Sequence, residues 1–303
     1  MASETSPVPK HVLVVGDVIT DIICTPEGPI EVGSDRRATI RSRPGGSGAN
    51  QAVWLAAFGL KVRLAARIGI ADFELFEARF SSLGVEPAFG LDRDRPSGML
   101  VTIVSPDGER SFLTDRGANA SLSAADLPPN LLDGCDMLVV SGYSLFEPEA
   151  RAGAINLIAA ARQRGLPVAI DPASVGFLKE LGAEAFLAAT HGVTTIFANE
   201  AEALALTGAR DIEAALRNLG GHYPRVIIKR GAAGAVLGTH QGITLARPAP
   251  TVAVIDTTGA GDAFAAAFIA AELGGNSAET ALERAIAAGA GAVTRLGGQP
   301  PSP

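Results

Sequence analysis

Asp256-Thr257-Thr258-Gly259-Ala260-Gly261-Asp262-Ala263-Phe264 opens a long run of small apolar residues near the C-terminal end of a chain of 303 residues. Two glycines flank an alanine just where a helix should begin, so backbone N–H groups can turn toward an anion. A carboxylate, Asp262, stands at the helix entrance. The stretch reads as phosphate chemistry, and the chain around it has to supply what brings the phosphate there.

Working outward, residues 225–229 form an apolar strand that runs into Lys229-Arg230-Gly231-Ala232-Ala233-Gly234. Glycines there let a nucleotide approach bare backbone, although a plain turn into a strand at 235–237 reads equally well. On the other side, the helix from 262 to 273 is followed by Asn276-Ser277, a start signal for a last helix to about residue 291. Farther upstream, strands at 11–15, 62–68, 137–141, 168–171 and 195–198 alternate with helical spacing at 53–58, 73–83, 149–164 and 183–190. This alternation predicts an α/β fold with a doubly wound, mostly parallel central sheet flanked by helices. In such a sheet ligands bind beyond the carboxyl ends of the strands, an edge that here carries Asp21, Tyr143, Asp171, Asn199 and Glu202. Only Gly16 follows the first strand, so the G-x-G-x-x-G of a dinucleotide site is excluded there.

Two regions break the alternation. Residues 31–42 are polar and β-branched in patches with nearby Arg36, Arg37, Arg41 and Arg43, and read as short strands on a rim. Residues 99–104 and 111–114 read as a hairpin across the turn Pro106-Asp107-Gly108-Glu109, with no crossover helix between them. We assign both to a small β-sheet lid, roughly 31–43 and 97–116, on a single domain spanning 1–303. A small isolated sheet is marginal alone, so a second copy is expected to cover it, giving a homodimer through the lid. Between the two regions lies Pro44-Gly45-Gly46-Ser47-Gly48-Ala49-Asn50-Gln51-Ala52, leading into a helix. Its glycines suit close approach of a ligand and Asn50 offers both a donor and an acceptor, as a polyol requires; a plain loop with a helix cap is the alternative.

Composition narrows the class. The chain is 47% hydrophobic and 19% charged with a formal net charge of -7, enough apolar material for a large core and no basic surplus for a nucleic acid. Cys24 and Cys135 are the only cysteines, expected as ordinary buried thiols. Met1-Ala2-Ser3-Glu4-Thr5-Ser6-Pro7-Val8 has no export-signal pattern and no apolar run is long enough for a bilayer, so a cytoplasmic, membrane-free protein is expected.

Gly45-Gly46-Ser47-Gly48-Ala49-Asn50, Asn199-x-x-Glu202, Lys229-x-Gly231-x-x-Gly234 and Asp256-Thr257-Thr258-Gly259-Ala260-Gly261-Asp262 occur in this order and together resemble the ribokinase (PfkB) family of sugar and nucleoside kinases. The resemblance covers nearly the whole chain and implies a ribokinase-like fold and ATP-dependent phosphorylation of a hydroxymethyl group of a small sugar. It implies Asp262 as the base, with the amides of Gly259, Ala260 and Gly261 holding charge on the transferred phosphoryl group. It further implies Asp21, Gly45, Gly46, Asn50, Arg116 and Tyr143 on the substrate side and Asn199, Lys229, Gly231 and Gly234 on the nucleotide side. Glu202 would act on Mg²⁺ through water. The tail Ala292-Val293-Thr294-Arg295-Leu296-Gly297-Gly298-Gln299-Pro300 is similar to the family's monovalent-cation loop. Oxygens of Asp256, Thr258, Ala292, Arg295 and Gly297 would there hold K⁺.

The chain also departs from the pattern. Ser47 stands where ribokinases proper tend to have Lys, Tyr143 near where they have Glu, and Pro301 where the family often has a serine ligand. Arg116 occupies a position that faces the substrate in relatives acting on ketoses or sugar acids, so a 2-keto-3-deoxy acid is one alternative; pairing of Arg116 with Asp115 or another acidic neighbour on the lid is the other reading. A nucleoside whose base stacks on Tyr143 or Phe112 is a further alternative. From another class, a sugar or nucleotide sensor without turnover would keep the binding site but has no need of Asp262.

Overall fold

The computed structural model describes residues 9–105 and 110–301. The start at Met1 to Val8 and the turn Pro106 to Glu109, both read above, lie outside the described residues, as do the last two positions. In chain order the strands are β1 (His11–Val15), β2 (Ile19–Pro26), β3 (Ala38–Gly45), β4 (Lys61–Gly69), β5 (Val85–Asp92), β6 (Gly98–Val104), β7 (Arg110–Asp115), β8 (Met137–Ser141), β9 (Val168–Asp171), β10 (Thr195–Asn199), β11 (Arg225–Lys229), β12 (Ala235–Thr239) and β13 (Gly242–Arg247). The helices are α1 (Ser47–Ala57), α2 (Phe73–Ser82), α3 (Pro148–Gln163), α4 (Val175–Leu181), α5 (Ala183–Ala189), α6 (Glu200–Thr207), α7 (Ile212–Gly220), α8 (Ala260–Leu273) and α9 (Ala278–Ala292).

β1 shows why the large sheet lies at the centre. Its sequence is apolar at successive positions rather than alternating, which suits a strand covered on both faces. Val12 and Val14 face one core, shared with α1, α2, α8 and α9, while Leu13 and Val15 face a second core against α3, α5, α6 and α7. The sheet runs β13-β12-β11-β10-β9-β8-β1-β4-β5, parallel from β11 to β5, with β12 and β13 added antiparallel at one edge. The chain leaves β1 toward β4 and β5, then returns to β8 on its other side. This makes the carboxyl end of β1 and β8 a topological switch point, where an open α/β sheet leaves a crevice.

The second sheet runs β3-β2-β6-β7. β6 and β7 pair antiparallel as expected, but residues 31–37 form no strand, and the strand of the 31–43 region is β3 alone. β2, unread in the sequence, is the sheet's centre: it pairs antiparallel with β3 and parallel with β6. Asp21 therefore sits on a lid strand rather than in the loop following β1. Among the described residues no helix is long and apolar enough to cross a membrane. Cys135 is buried and Cys24 half-buried, and neither is bonded to the other.

Candidate active site

α8 starts as its glycines require. Gly259 has a φ of 72°, in the left-handed region, and an added Cβ would collide with the Gly298 backbone. N–H groups of a first helical turn have no intrahelical acceptor. That of Ala260 turns back to the Thr257 carbonyl at 3.3 Å, so Gly261 and its neighbours in the turn are the freer donors. α8 is apolar on nearly every side and buried along most of its length, which fixes the position of its first turn against the sheet.

Asp262 lies in that turn and is buried to 9% exposure. The start of α1 holds it: Ser47 Oγ donates to Oδ1 at 2.8 Å, Gln51 Nε2 to Oδ1 at 3.1 Å and Asn50 Nδ2 to Oδ2 at 3.1 Å. Burial, with the Asp171 carboxylate adding to it, raises its pKa to about 7, against the pull of those three donors. A carboxyl group tuned to neutral pH and facing a cavity can exchange a proton with a bound hydroxyl.

The glycines of the α1 motif serve this packing. An added Cβ at Gly45 would collide with the Asp21 carboxylate, and one at Gly46, which has a φ of 95°, with the Asp17 carbonyl. Asn50 Oδ1 is buried without a partner beside the cavity. The sequence expectation for Asn50 was contact with a polyol; its amide nitrogen is used on Asp262, which leaves the oxygen.

Asp262, Asp17, Asp21, Gly46, Ser47 and Asn50 line a polar cavity of about 570 Å³ at the switch point. Arg116, Tyr143, Asp171, Asn199, Glu202 and Lys229 line it as well. Arg116 does not pair with Asp115, whose carboxylate accepts the Gly117 N–H instead. It donates to the Tyr143 carbonyl at 2.8 Å, stacks over the Tyr143 ring at 5.7 Å and approaches Asp17, missed in the sequence, at 3.8 Å. Asp17 is held above the usual carboxylate range by burial, with Arg116 opposing. Tyr143 packs edge-on against Phe146 and Phe177, and burial with the surrounding carboxylates raises its phenol pKa, so it stays a neutral donor.

Lys229 Nζ donates to Asp171 Oδ2 at 2.5 Å, both side chains being largely buried. Ala173, next along, has a φ of 77°, a strained value for a residue with a side chain, and its N–H binds Asp171 Oδ1 at 3.0 Å. Glu202 and Asn199 form a reciprocal capping box at the start of α6, with Glu202 Oε2 accepting from the Asn199 N–H at 2.8 Å. Burial and the Asp171 charge raise the pKa of Glu202 to about 7, with Lys229 opposing.

A separate, mainly apolar cavity of about 350 Å³ lies on the other side of the α8 turn, lined by Gly231, Gly234, Val252, Phe264 and Ile286 among others. Lys229 and Gly261 line both cavities. Asp256 accepts the N–H and the hydroxyl of Thr258 at 3.0 and 2.7 Å and the Gly297 N–H at 3.0 Å, bringing the tail against the α8 turn. The Ala292 carbonyl accepts the Arg295 N–H at 3.3 Å, the Arg295 guanidinium lying over the Trp54 ring.

Two cavities, one polar and one apolar, meeting at a glycine turn with a neutral-pH carboxyl group define a group-transfer enzyme on a doubly wound sheet with a lid. Residues 9–303 match the pfkB family carbohydrate kinases, and the chain belongs to that family. It is a phosphotransferase with an alcohol group as acceptor. It is 32% identical over 269 residues to aminoimidazole riboside kinase of Salmonella typhimurium, covering 84% of this chain and 78% of that protein. It is 31% identical over 276 residues to the bifunctional protein HldE of a Shewanella species, covering 83% of this chain but only 53% of that protein's length. Ribokinase from Thermotoga maritima superposes with a TM-score of 0.80 at 27% identity, over 96% of this chain and 95% of that one.

Proposed function

We propose that the chain transfers the γ-phosphoryl group of ATP to a hydroxymethyl group of a small sugar held in the polar cavity. The observation that carries this reading is the Asp262 carboxylate, facing the polar cavity at the turn whose Gly261 also lines the apolar one. In this reading Asp262 takes the proton of the acceptor hydroxyl as its oxygen attacks phosphorus. The free amides around Gly261, at the positive end of α8, receive the charge developing on the phosphoryl oxygens. Lys229, anchored by Asp171, sits where the phosphate chain passes from one cavity to the other. Gly231 and Gly234 border the base. Asp21, Asn50, Arg116 and Tyr143 orient the acceptor.

Among the described residues no group of three or more His, Cys, Asp or Glu gathers as a metal cage. The donor set thus fits a Mg²⁺ that arrives on the triphosphate, with the buried Glu202 and Asn199 holding its waters. Mg²⁺ supplies neutralisation of charge on the phosphates. Asp256 with the carbonyl-rich tail fits a monovalent cation such as K⁺, held by oxygens of Thr258, Ala292, Arg295 and Gly297. The whole chain acts as one kinase domain whose lid, built on β2, β3, β6 and β7, closes over the acceptor and pairs with that of a second copy, in the cytoplasm. A riboside acceptor is a second reading, favoured by the rings of Tyr143, Phe177 and Phe112, which line the polar cavity.

The test is Asp262→Asn, assayed for ATP consumption with pentoses, ketohexoses, sugar acids and nucleosides. Loss of the base should lower kcat by roughly 10²- to 10⁴-fold, with ATP affinity nearly intact. A variant as active as wild type refutes the mechanism, and substrate binding without turnover in the wild type favours a sensor.

A further inference from the structure

The lid carries a feature that acceptor binding as described does not use. β3 lies against β2 with Arg43 opposite Asp21, Arg41 opposite Ile23 and Thr39 opposite Thr25. Alternate residues of a strand share a face, so these six point the same way. β3 leads directly toward Ser47, which touches Asp262. Each alternate residue back along the strand is therefore about 7 Å farther from the reacting centre.

This face closes a further cavity of about 450 Å³, whose other wall includes Asp256, Thr258, Leu296 and Gly297. The cavity shares Asp21, Leu100, Phe112 and Thr258 with the polar cavity, so the two adjoin along the lid. Arg41 and Arg43 both line it, and neither makes an ion pair or a side-chain hydrogen bond with a described residue. Arg43 Nε is buried without any partner. The carboxylates at hand do not satisfy them: Asp256 takes donors from Thr258 and Gly297, and Asp21 Oδ1 is itself unpartnered. Arg116 and Arg67, by contrast, are engaged by protein groups.

Two unpaired guanidinium forks at adjacent positions on one strand face, with the hydroxyls of Thr25 and Thr39 alongside, form a site for an oxyanion with more than two oxygens. One fork suffices for a carboxylate, whereas two forks and hydroxyl donors match a phosphate monoester. We infer that Arg41 and Arg43 hold a phosphate group on the acceptor, at the end away from the reacting hydroxyl, so that the substrate is a sugar already phosphorylated once. This rests on the kinase reading above and narrows its substrate class. The class of reaction that supplies the substrate is then an earlier phosphorylation or a lyase or isomerase step yielding a sugar monophosphate.

The experiment is calorimetric titration of the intact protein and of the variant Arg41→Gln/Arg43→Gln. The titrants are inorganic phosphate alone and a panel of ketose and aldose monophosphates with a free hydroxymethyl group, each beside its unphosphorylated sugar and a sugar acid. At least one monophosphate is expected to bind the wild type more tightly than its parent sugar. The double variant should weaken that binding about 30-fold or more, the scale of a lost charge-assisted hydrogen bond or two. Thermal melting of the variant checks that its fold is kept; β3 side chains at these positions are exposed or half-buried, so both should melt alike. If no monophosphate and no inorganic phosphate shows binding that depends on the two arginines, or if a sugar acid is preferred, the inference is overturned. ATP turnover is read separately. Arginine-dependent binding without turnover overturns the kinase reading and leaves the phosphate site; turnover of neutral sugars with kcat/KM equal to that of their monophosphates does the reverse.

Discussion

Asp262 concentrates the residue-level chemistry, because its protonation state is set by opposing neighbours. Removal from water and the Asp171 charge favour the neutral acid, while the bonds from Ser47, Asn50 and Gln51 favour the carboxylate. A general base works only when ionised, so kcat/KM should rise with pH through an acid limb near 7 and level off above it. Ser47→Ala removes a donor to the charged form and should move that limb to higher pH, by up to about one unit. The loss of activity is then greater at pH 6 than at pH 9, as a pH series of kcat/KM would show; an unmoved limb would mean that the Ser47 bond plays no part in tuning. Ser47 and Gln51 were legible only in part. Their spacing puts them with Asn50 on one side of the first turn of α1, but that this side meets α8, more than 200 residues on, appears only once the sheet is assembled.

At the scale of elements, α1 joins Asp262, the proposed base, to the C-terminal tail proposed to hold a cation. Its first turn clamps Asp262, and farther along Trp54 Nε1 donates to the Gly298 carbonyl at 2.9 Å. Trp54→Phe removes that donor at a cost of about 1 kcal/mol and loosens the tail holding Gly297. The variant should need several-fold more K⁺ for half-maximal activity and recover most of it at saturating K⁺. A potassium titration with the same midpoint as the wild type would separate the tail from cation binding. The glycine motif before α1 is an instructive case at this scale. The sequence reading saw bare backbone for a ligand; in the structure Gly45 and Gly46 are first of all the space taken by Asp21 and the Asp17 carbonyl. A missing side chain looks the same in a sequence whether a ligand or another strand fills the gap.

For the whole molecule, the lid's outer face is the open surface. Ile40 and Leu113 are 64% and 61% exposed, and they alternate with inward-facing neighbours on β3 and β7. An apolar face on a four-stranded sheet fits a second copy of the chain. Ile40→Lys with Leu113→Lys should convert a dimer to a monomer in light scattering, with the melting of the large sheet little changed; a wild-type protein that scatters as a monomer removes the dimer.

The amino-acid sequence by itself determined the central parallel strands, the lid hairpin, the α8 turn and the family, because apolar runs, turn residues and glycine spacing are local signals. β8, β9 and β11 sit where the spacing puts them, residue for residue. Only the tertiary structure decided that Ile19–Pro26 is the centre of the lid, since a strand carrying Asp21 is stabilised by its pairing with β6, almost 80 residues later, rather than by its own pattern. It likewise decided the partners of charged groups: Arg116 turns from its neighbour Asp115 to Asp17, and Lys229 to Asp171. A buried charge is matched by whatever group the fold carries next to it, and proximity in space is what a linear chain does not write down.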